Sequence, residues 1–331
     1  MFFRRLRRRS RKPTPLTRAG RKREVEIFPG LDNERGLELR RQLRHQFAEY
    51  GAAIHFDGRQ GEITHPGRGR VRVGFDHLVR LLAGNEDPNA IASHAEAFVR
   101  MIMSDEGTEN MRVPEIYAGL RLKLTPTWGL SEDERGIIDG ATIDPFAENV
   151  AVALVLDTEN AIQTVALSKA EKFDDVPSLR RAATANLRSE LQTADIQIVY
   201  HEGSAQMPGG HFWSFESDSF YLGSAPLLLE EVLAEWVPEM DQSNGILFAM
   251  PNRHLMLARE VTTGNDLLQG LQSVAMVAAR FAMERSHPIS SSVYLSYAGG
   301  RSTISEVDHS VKELKIIPDA HLVHQLGLEN P

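Results

Sequence analysis

No cysteine occurs in these 331 residues. That absence excludes disulfides, thiolate metal sites, iron–sulfur clusters and cysteine nucleophiles, and it fits a reducing compartment. Long apolar runs are scarce too. The longest in the second half, Leu267 to Ala279, has 13 residues, against the roughly 20 that a membrane span needs. It reads as a buried helix, and no transmembrane segment is expected. Acid is missing from the first 23 residues, where eleven arginines and lysines stand before Glu24. Without those eleven, 26 basic residues face 45 acidic ones, a net charge of -19. A basic arm is thus attached to an acidic body.

The signatures of several enzyme classes are also missing. No Gly-x-Ser-x-Gly serves a serine nucleophile. No Walker loop and no dinucleotide-binding glycine pattern follows a strand. The histidines include no His-Glu-x-x-His and have no cysteine partner. No metal and no cofactor is expected.

What is present is ordinary globular material, 42% hydrophobic and 25% charged, enough for one large domain or two modest ones. Residues 1–24 read as a basic disordered tail, with Pro13 and Pro15 in it. Residues 25–105 read as a small α+β lobe. There Leu39, Leu43, Phe47 and Tyr50 mark one helical face and Gly51 stops it. Ile54 and Phe56 alternate into a hairpin, RVRVGF gives another strand, and DHLVRLL a short helix. A longer helix opens near Asp87-Pro88. SDEGTENMR is a polar linker.

Residues 112–304 read as the main α+β domain, a mainly antiparallel sheet with helices on one face. IYAGLRLKL is its first expected strand, and the stretch from Thr125 to Asn149 is expected to be irregular. A hairpin then surrounds Asp157 to Asn160. A helix starts near Ser178, a further one follows Ser224 as its N-cap, a strand pair turns at Pro251 and Asn252, and a long helix begins near Asp266. Residues 305–331 are expected to be a loosely packed C-terminal extension.

His201, Glu202 and His211 flank a glycine-rich loop and could converge if their strands pair. With Arg253 and His254, they are the candidate catalytic residues, in a hydrolase and in one version a metal-dependent one. FWSF and FYL form an aromatic cluster, from Phe212 to Tyr221. It lacks the interleaved basic residues of a nucleic-acid surface and reads as core or as a protein-binding groove. In the tail, Arg4, Arg5, Arg7, Arg8, Arg9, Arg11 and Lys12 are the candidate contacts to anionic lipid or nucleic acid.

AATANLRSEL, GSAPLLLEEVLAEW and AMPNRHLML follow one another in an order that resembles the bacterial YtpQ-like family, over roughly residues 33–300. That family has no assigned activity. The resemblance implies a cytoplasmic bacterial protein, which the tail could hold peripherally at a membrane. It also marks Asn186, Arg188 and Arg253 as candidate binding positions. The turn reads Pro251-Asn252-Arg253-His254-Leu255, with histidine where the family pattern has an acid. The leading expectation is a non-enzymatic module that binds a protein or peptide. A hydrolase and tail-directed binding to an anionic surface are the alternatives.

Overall fold

The computed structural model describes residues 27–328, apart from 29, 58–59, 68, 86, 104–111, 131, 159–161, 285–286 and 309–312. The basic tail and most of the polar linker lie outside the described residues.

The small lobe follows from its periodicity. In α1 (Asn33–Glu49) the Asp32 side chain caps the helix by accepting from the Arg35 backbone N–H at 2.8 Å. Leu39, Leu43 and Phe47 are buried along one face, and Gly51 ends it with a φ of +72°, which costs glycine little. Each such buried side chain contributes about 1.5–3 kcal/mol. Tyr50, the last residue of that stripe, is exposed. The strands β1 (Ala53–Asp57), β2 (Gln60–His65) and β3 (Gly69–Gly74) form an antiparallel meander. The helices α2 (Asp76–Leu82) and α3 (Ala90–Met103) complete the lobe, around a core that includes Phe28, Phe75 and Phe98.

The expected strand IYAGLRLKL is split by the structure. Its first half is α4 (Val113–Gly119), which has proline in its first turn, while Glu115 accepts from the Arg112 backbone N–H. Its second half is β4 (Leu120–Pro126). Nor is the next stretch irregular: it holds α5 (Glu132–Ala141) and β5 (Thr142–Ala147). Its glycines, at 136 and 140, and its many charges resemble turn composition. The hairpin of β6 (Val150–Asp157) and β7 (Ile162–Thr164) is where its two apolar runs suggested. After the short α6 (Leu167–Ala170), α7 (Val176–Thr193) starts behind Asp175, whose side chain caps it. Leu179, Ala183, Leu187 and Leu191 of α7 are buried in the core that holds Leu120, Leu122 and Leu124 of β4.

The remaining strands form a six-stranded antiparallel sheet. They are β8 (Ile196–His201), β9 (Phe212–Ser217), β10 (Ile246–Asn252), β11 (Leu255–Glu260), β12 (Tyr294–Tyr297) and β13 (Gly300–Thr303), in spatial order 13-12-10-11-9-8. A 3-10 helix, Leu222–Leu228, leads into α8 (Leu229–Trp236). Ser224 lies inside it and does not cap α8: its buried hydroxyl accepts from the Leu124 backbone N–H at 2.9 Å. The long α9 (Gly264–Glu284) covers one face of β10 and β11; the core of α7 and α8 covers the other. The α+β class with antiparallel sheets therefore holds, and the central strands are buried on both faces.

Past residue 304, β14 (Ser305–Asp308) and β15 (Glu313–Ile316) pair, and α10 (Ala320–Gln325) follows. Leu322 is fully buried against the α9 core, joined by Leu314 and Ile316. Instead of a loose extension, the described part of this segment is packed, because Leu314, Ile316, Leu322 and Leu326 face one core, while Ile317 and Leu328 stay exposed. Among the described residues no helix is long and apolar enough to cross a membrane.

Candidate functional site

Three segments distant in sequence meet at one carboxylate. Asp76 opens α2, Arg253 lies in the turn between β10 and β11, and His287 follows α9. Arg253 donates through Nη2 to Asp76 Oδ2, and His287 lies with Nε2 at 2.6 Å from the same oxygen. Backbone bonds bring these segments together. Ile289 N–H donates to the Pro251 carbonyl, and Asn252 and Pro288 form an isolated bridge. Gly223 donates to the Arg253 carbonyl at 2.9 Å, and a Cβ on it would fall 2.8 Å from Arg253 Cα. A side chain there would push the turn away, so this glycine permits the approach.

His287 has φ +58°. A non-glycine side chain in that region is strained and persists only when its surroundings hold it. Here the ring is fixed at both nitrogens, by Asp76 and, at 3.4 Å, by the Gln60 amide. Burial pulls its pKa down, and the Asp76 carboxylate partly offsets that. Burial alone would raise the Asp76 carboxyl, but the bond from His287 and the charge of Arg253 hold it well below the usual carboxylate range.

His254 has no free lone pair. Arg253 Nε donates to its Nε2 at 2.9 Å, so Nδ1 carries the proton and donates to the Ser217 carbonyl at 3.1 Å. Burial, then the charge of Arg253, push it down to about 4. It is a neutral linker between turn and strand. The Phe220 ring lies 4.3 Å from the Arg253 guanidinium and 4.4 Å from that of Arg80, a cation–π arrangement that holds both.

Beside this cluster, between the lobes, is a cavity of about 530 Å³, within the usual range for small-molecule sites. Much of its wall is apolar, including Ile63, Phe98, Met101, Ile138, Ile162 and Phe220. Lys123 lines it as well. In β4 the alternation buries Leu120, Leu122 and Leu124 on one face and turns Lys123 to the other. Its partial surface accessibility is access from the cavity, because bulk water is almost wholly displaced around the ammonium. Burial first, then the charge of Arg253, push it down to about 8, with Asp157 opposing. Asp157 itself is raised by burial, and it accepts from the Tyr221 hydroxyl at 2.9 Å. Among the described residues the Lys123 ammonium has no hydrogen bond and no direct ion pair. It is a cation without a direct ion pair, set in a cavity that Asp76 and Glu134 also line and opposed in charge by Asp157.

The histidines singled out by the glycine-rich loop do not join this site. His201 stacks on Phe212 at 4.6 Å and bonds the Ser214 hydroxyl at 2.8 Å. Tyr200, next along the strand, packs against Trp213 and His211. Successive side chains alternate across a strand, so His201 and His211 lie on opposite faces. His211 pairs with Glu260 at 3.1 Å, at the far end of β11 from His254. Six residues at about 3.3 Å each put roughly 20 Å between them. Glu202 is exposed. His201, Glu202, His211, Arg253 and His254 therefore cannot share one first coordination shell. Among the described residues no group of three histidines and carboxylates could hold a metal ion.

The motif positions on α7 have structural roles. Asn186 donates to the carbonyls of Tyr117 and Leu120 at 2.7 and 2.9 Å, which pins the junction of α4 and β4. Arg188 forms a two-pronged pair with Glu231 across α7 and α8. Of the candidate catalytic and binding residues, Arg253 alone lines the cavity, joined there by Phe220 of the aromatic cluster. Asp76, Lys123 and His287 went unnoticed. Lys123 sits on the polar half of an alternating strand, a place that usually faces solvent. Comparison of the chain with protein-family models, curated proteins and solved structures found no match. The YtpQ-like resemblance rests on its short motifs alone.

Proposed function

We propose that this chain binds a small ligand with an anionic group on an apolar body, in the cavity between the lobes. The observation that carries the reading is the ammonium of Lys123, which lines a cavity with a largely apolar wall and has no direct ion pair among the described residues, Asp157 acting on it only through its charge. A carboxylate there would supply the missing charge, and the apolar walls would bury its tail. The neighbouring side chains favour binding over hydrolysis. Asp76 already accepts from two donors, and His254 has its lone pair occupied.

A melting-temperature series tests this. Hexanoate, octanoate and decanoate should stabilise the protein progressively, by about 2.7 kcal/mol at a hundredfold excess over Kd. The alkanols of equal length should not, and Lys123→Met should abolish the effect. No shift with any of the acids, or an equal shift in Lys123→Met, overturns the reading.

A second reading, a protein- or peptide-binding module, is favoured by β8. It ends the six-stranded order and pairs only with β9 among the described residues. Its sequence, IQIVYH, has no lysine or proline to guard an edge, and Tyr200 is exposed on it. An extended peptide could add there as a further strand. Val199→Pro should remove such binding and leave octanoate binding intact. The family resemblance supports a bacterial, cytoplasmic setting. The charge of residues 1–24 supports a separate contact of the arm with anionic lipid or nucleic acid, which deletion of the arm would abolish.

A further inference from the structure

The group in the cavity is an amine, and its surroundings suit covalent chemistry as well as ion pairing. Lysine becomes a nucleophile when an apolar pocket or a neighbouring cation favours its neutral form. Both conditions meet at Lys123: burial beside apolar walls, and Arg253 on the same cavity, which together outweigh the opposing charge of Asp157; Asp76 and Glu134 also line the cavity. Lys169, Lys172 and Lys315, by contrast, are exposed. With its pKa near 8, about a tenth of Lys123 is neutral at pH 7, against well under a thousandth for an ordinary lysine.

We propose that Lys123 forms an imine with a 2-oxo acid that carries an apolar tail. The proposal rests on the cavity being the ligand site. In such an acid the carboxylate is attached to the carbonyl carbon, so one nitrogen meets both groups. The charged amine pairs with the carboxylate on entry. The neutral amine then adds to the carbonyl carbon: a C–N bond forms and the C=O π electrons move to oxygen. One proton passes from nitrogen to that oxygen. On dehydration the oxygen leaves as water with the second nitrogen proton, and C=N remains. The reaction consumes no oxidant or reductant. Protonation of the imine restores a positive charge beside the carboxylate, so the ion pair survives the bond formation.

The test uses the full chain, 2-oxooctanoate, and sodium cyanoborohydride, which reduces C=N to a stable secondary amine. Octanoate, which has no carbonyl, is the control ligand. The expected result is a mass increase of one reduced adduct, mapped to Lys123 at least tenfold above each of Lys169, Lys172 and Lys315. Octanoate should suppress it, and Lys123→Arg, which keeps the charge, should lack it. Binding of both acids with no adduct on Lys123 overturns the imine and leaves the binding reading intact. Equal labelling of Lys123, Lys169, Lys172 and Lys315 also overturns the imine. Failure of both acids to bind overturns imine and binding reading together. If Lys123→Arg does not fold, suppression by octanoate in the unaltered protein still decides the matter.

Discussion

Replacing Lys123 by methionine should stabilise the empty protein. The ammonium is stripped of water beside Arg253, and no acid bonds it among the described residues. Holding it near 8 and not at the usual 10.5 corresponds to about 3 kcal/mol at neutral pH. Access from the cavity screens part of that, which leaves about 1–3 kcal/mol. Methionine matches the length of the stem and suits apolar walls. The pH dependence gives the signature. The folded state binds fewer protons at Lys123 than the unfolded state between about 8 and 10.5. Unaltered protein therefore gains stability as pH rises through that window. The advantage of Lys123→Met should be full below pH 8 and fade by about 10.5. Urea unfolding at pH 7, 8.5 and 10 measures it. A variant less stable than its parent at pH 7 by more than 1 kcal/mol would refute the reasoning, because Lys123 would then have a structural partner.

Asp76→Asn leaves Arg253 and His287 without their carboxylate in a mostly buried setting. Urea titration should show a loss of about 3 kcal/mol, and Asp76→Asn with Arg253→Met should cost less than the two changes summed. His254, held near 4, stays neutral in the fold but is protonated in the unfolded chain below about pH 6.5, and His287, also lowered by burial, acts in the same direction. Stability should thus fall with acidification from 6.5 toward 4. His254→Gln should reduce that slope by up to about 1.4 kcal/mol per pH unit. A Cβ on Gly270 would meet the fully buried Arg259 guanidinium at 1.1 Å from Nη1. That guanidinium holds Gly209, Thr262 and Asp266 in place. Gly270→Ala should cost more than about 4 kcal/mol or prevent folding, as circular dichroism melting would show.

Periodicity carried much of the fold. The spacing of Leu39, Leu43 and Phe47, the alternation in RVRVGF and the apolar runs around Asp157 each gave an element where the structure has one. Reading failed where two elements abut without punctuation. Gly119 and Leu120 pass directly from α4 into β4, so one apolar pattern covers a helix and a strand. It also failed in α5, whose glycines and charges resemble a turn. The site was mostly illegible for a different reason. Asp76 is separated by 177 residues from Arg253 and by 211 from His287, and no local pattern links them. Asp76 looks like an ordinary acid in a first helical turn. His201 and His211 drew attention because they flank one loop, but strand alternation puts them on opposite faces. Arg253 was visible only through its turn motif, and the aromatic clamp of Phe220 upon it needs the fold.

Calorimetric titration of octanoate against the unaltered chain and Lys123→Met tests the central claim most directly. The account predicts one site per chain, affinity about tenfold weaker at pH 9 than at pH 7 as the ammonium titrates near 8, and loss of the site in the variant. Binding of equal strength in Lys123→Met, or no binding to either protein at pH 7, would contradict it.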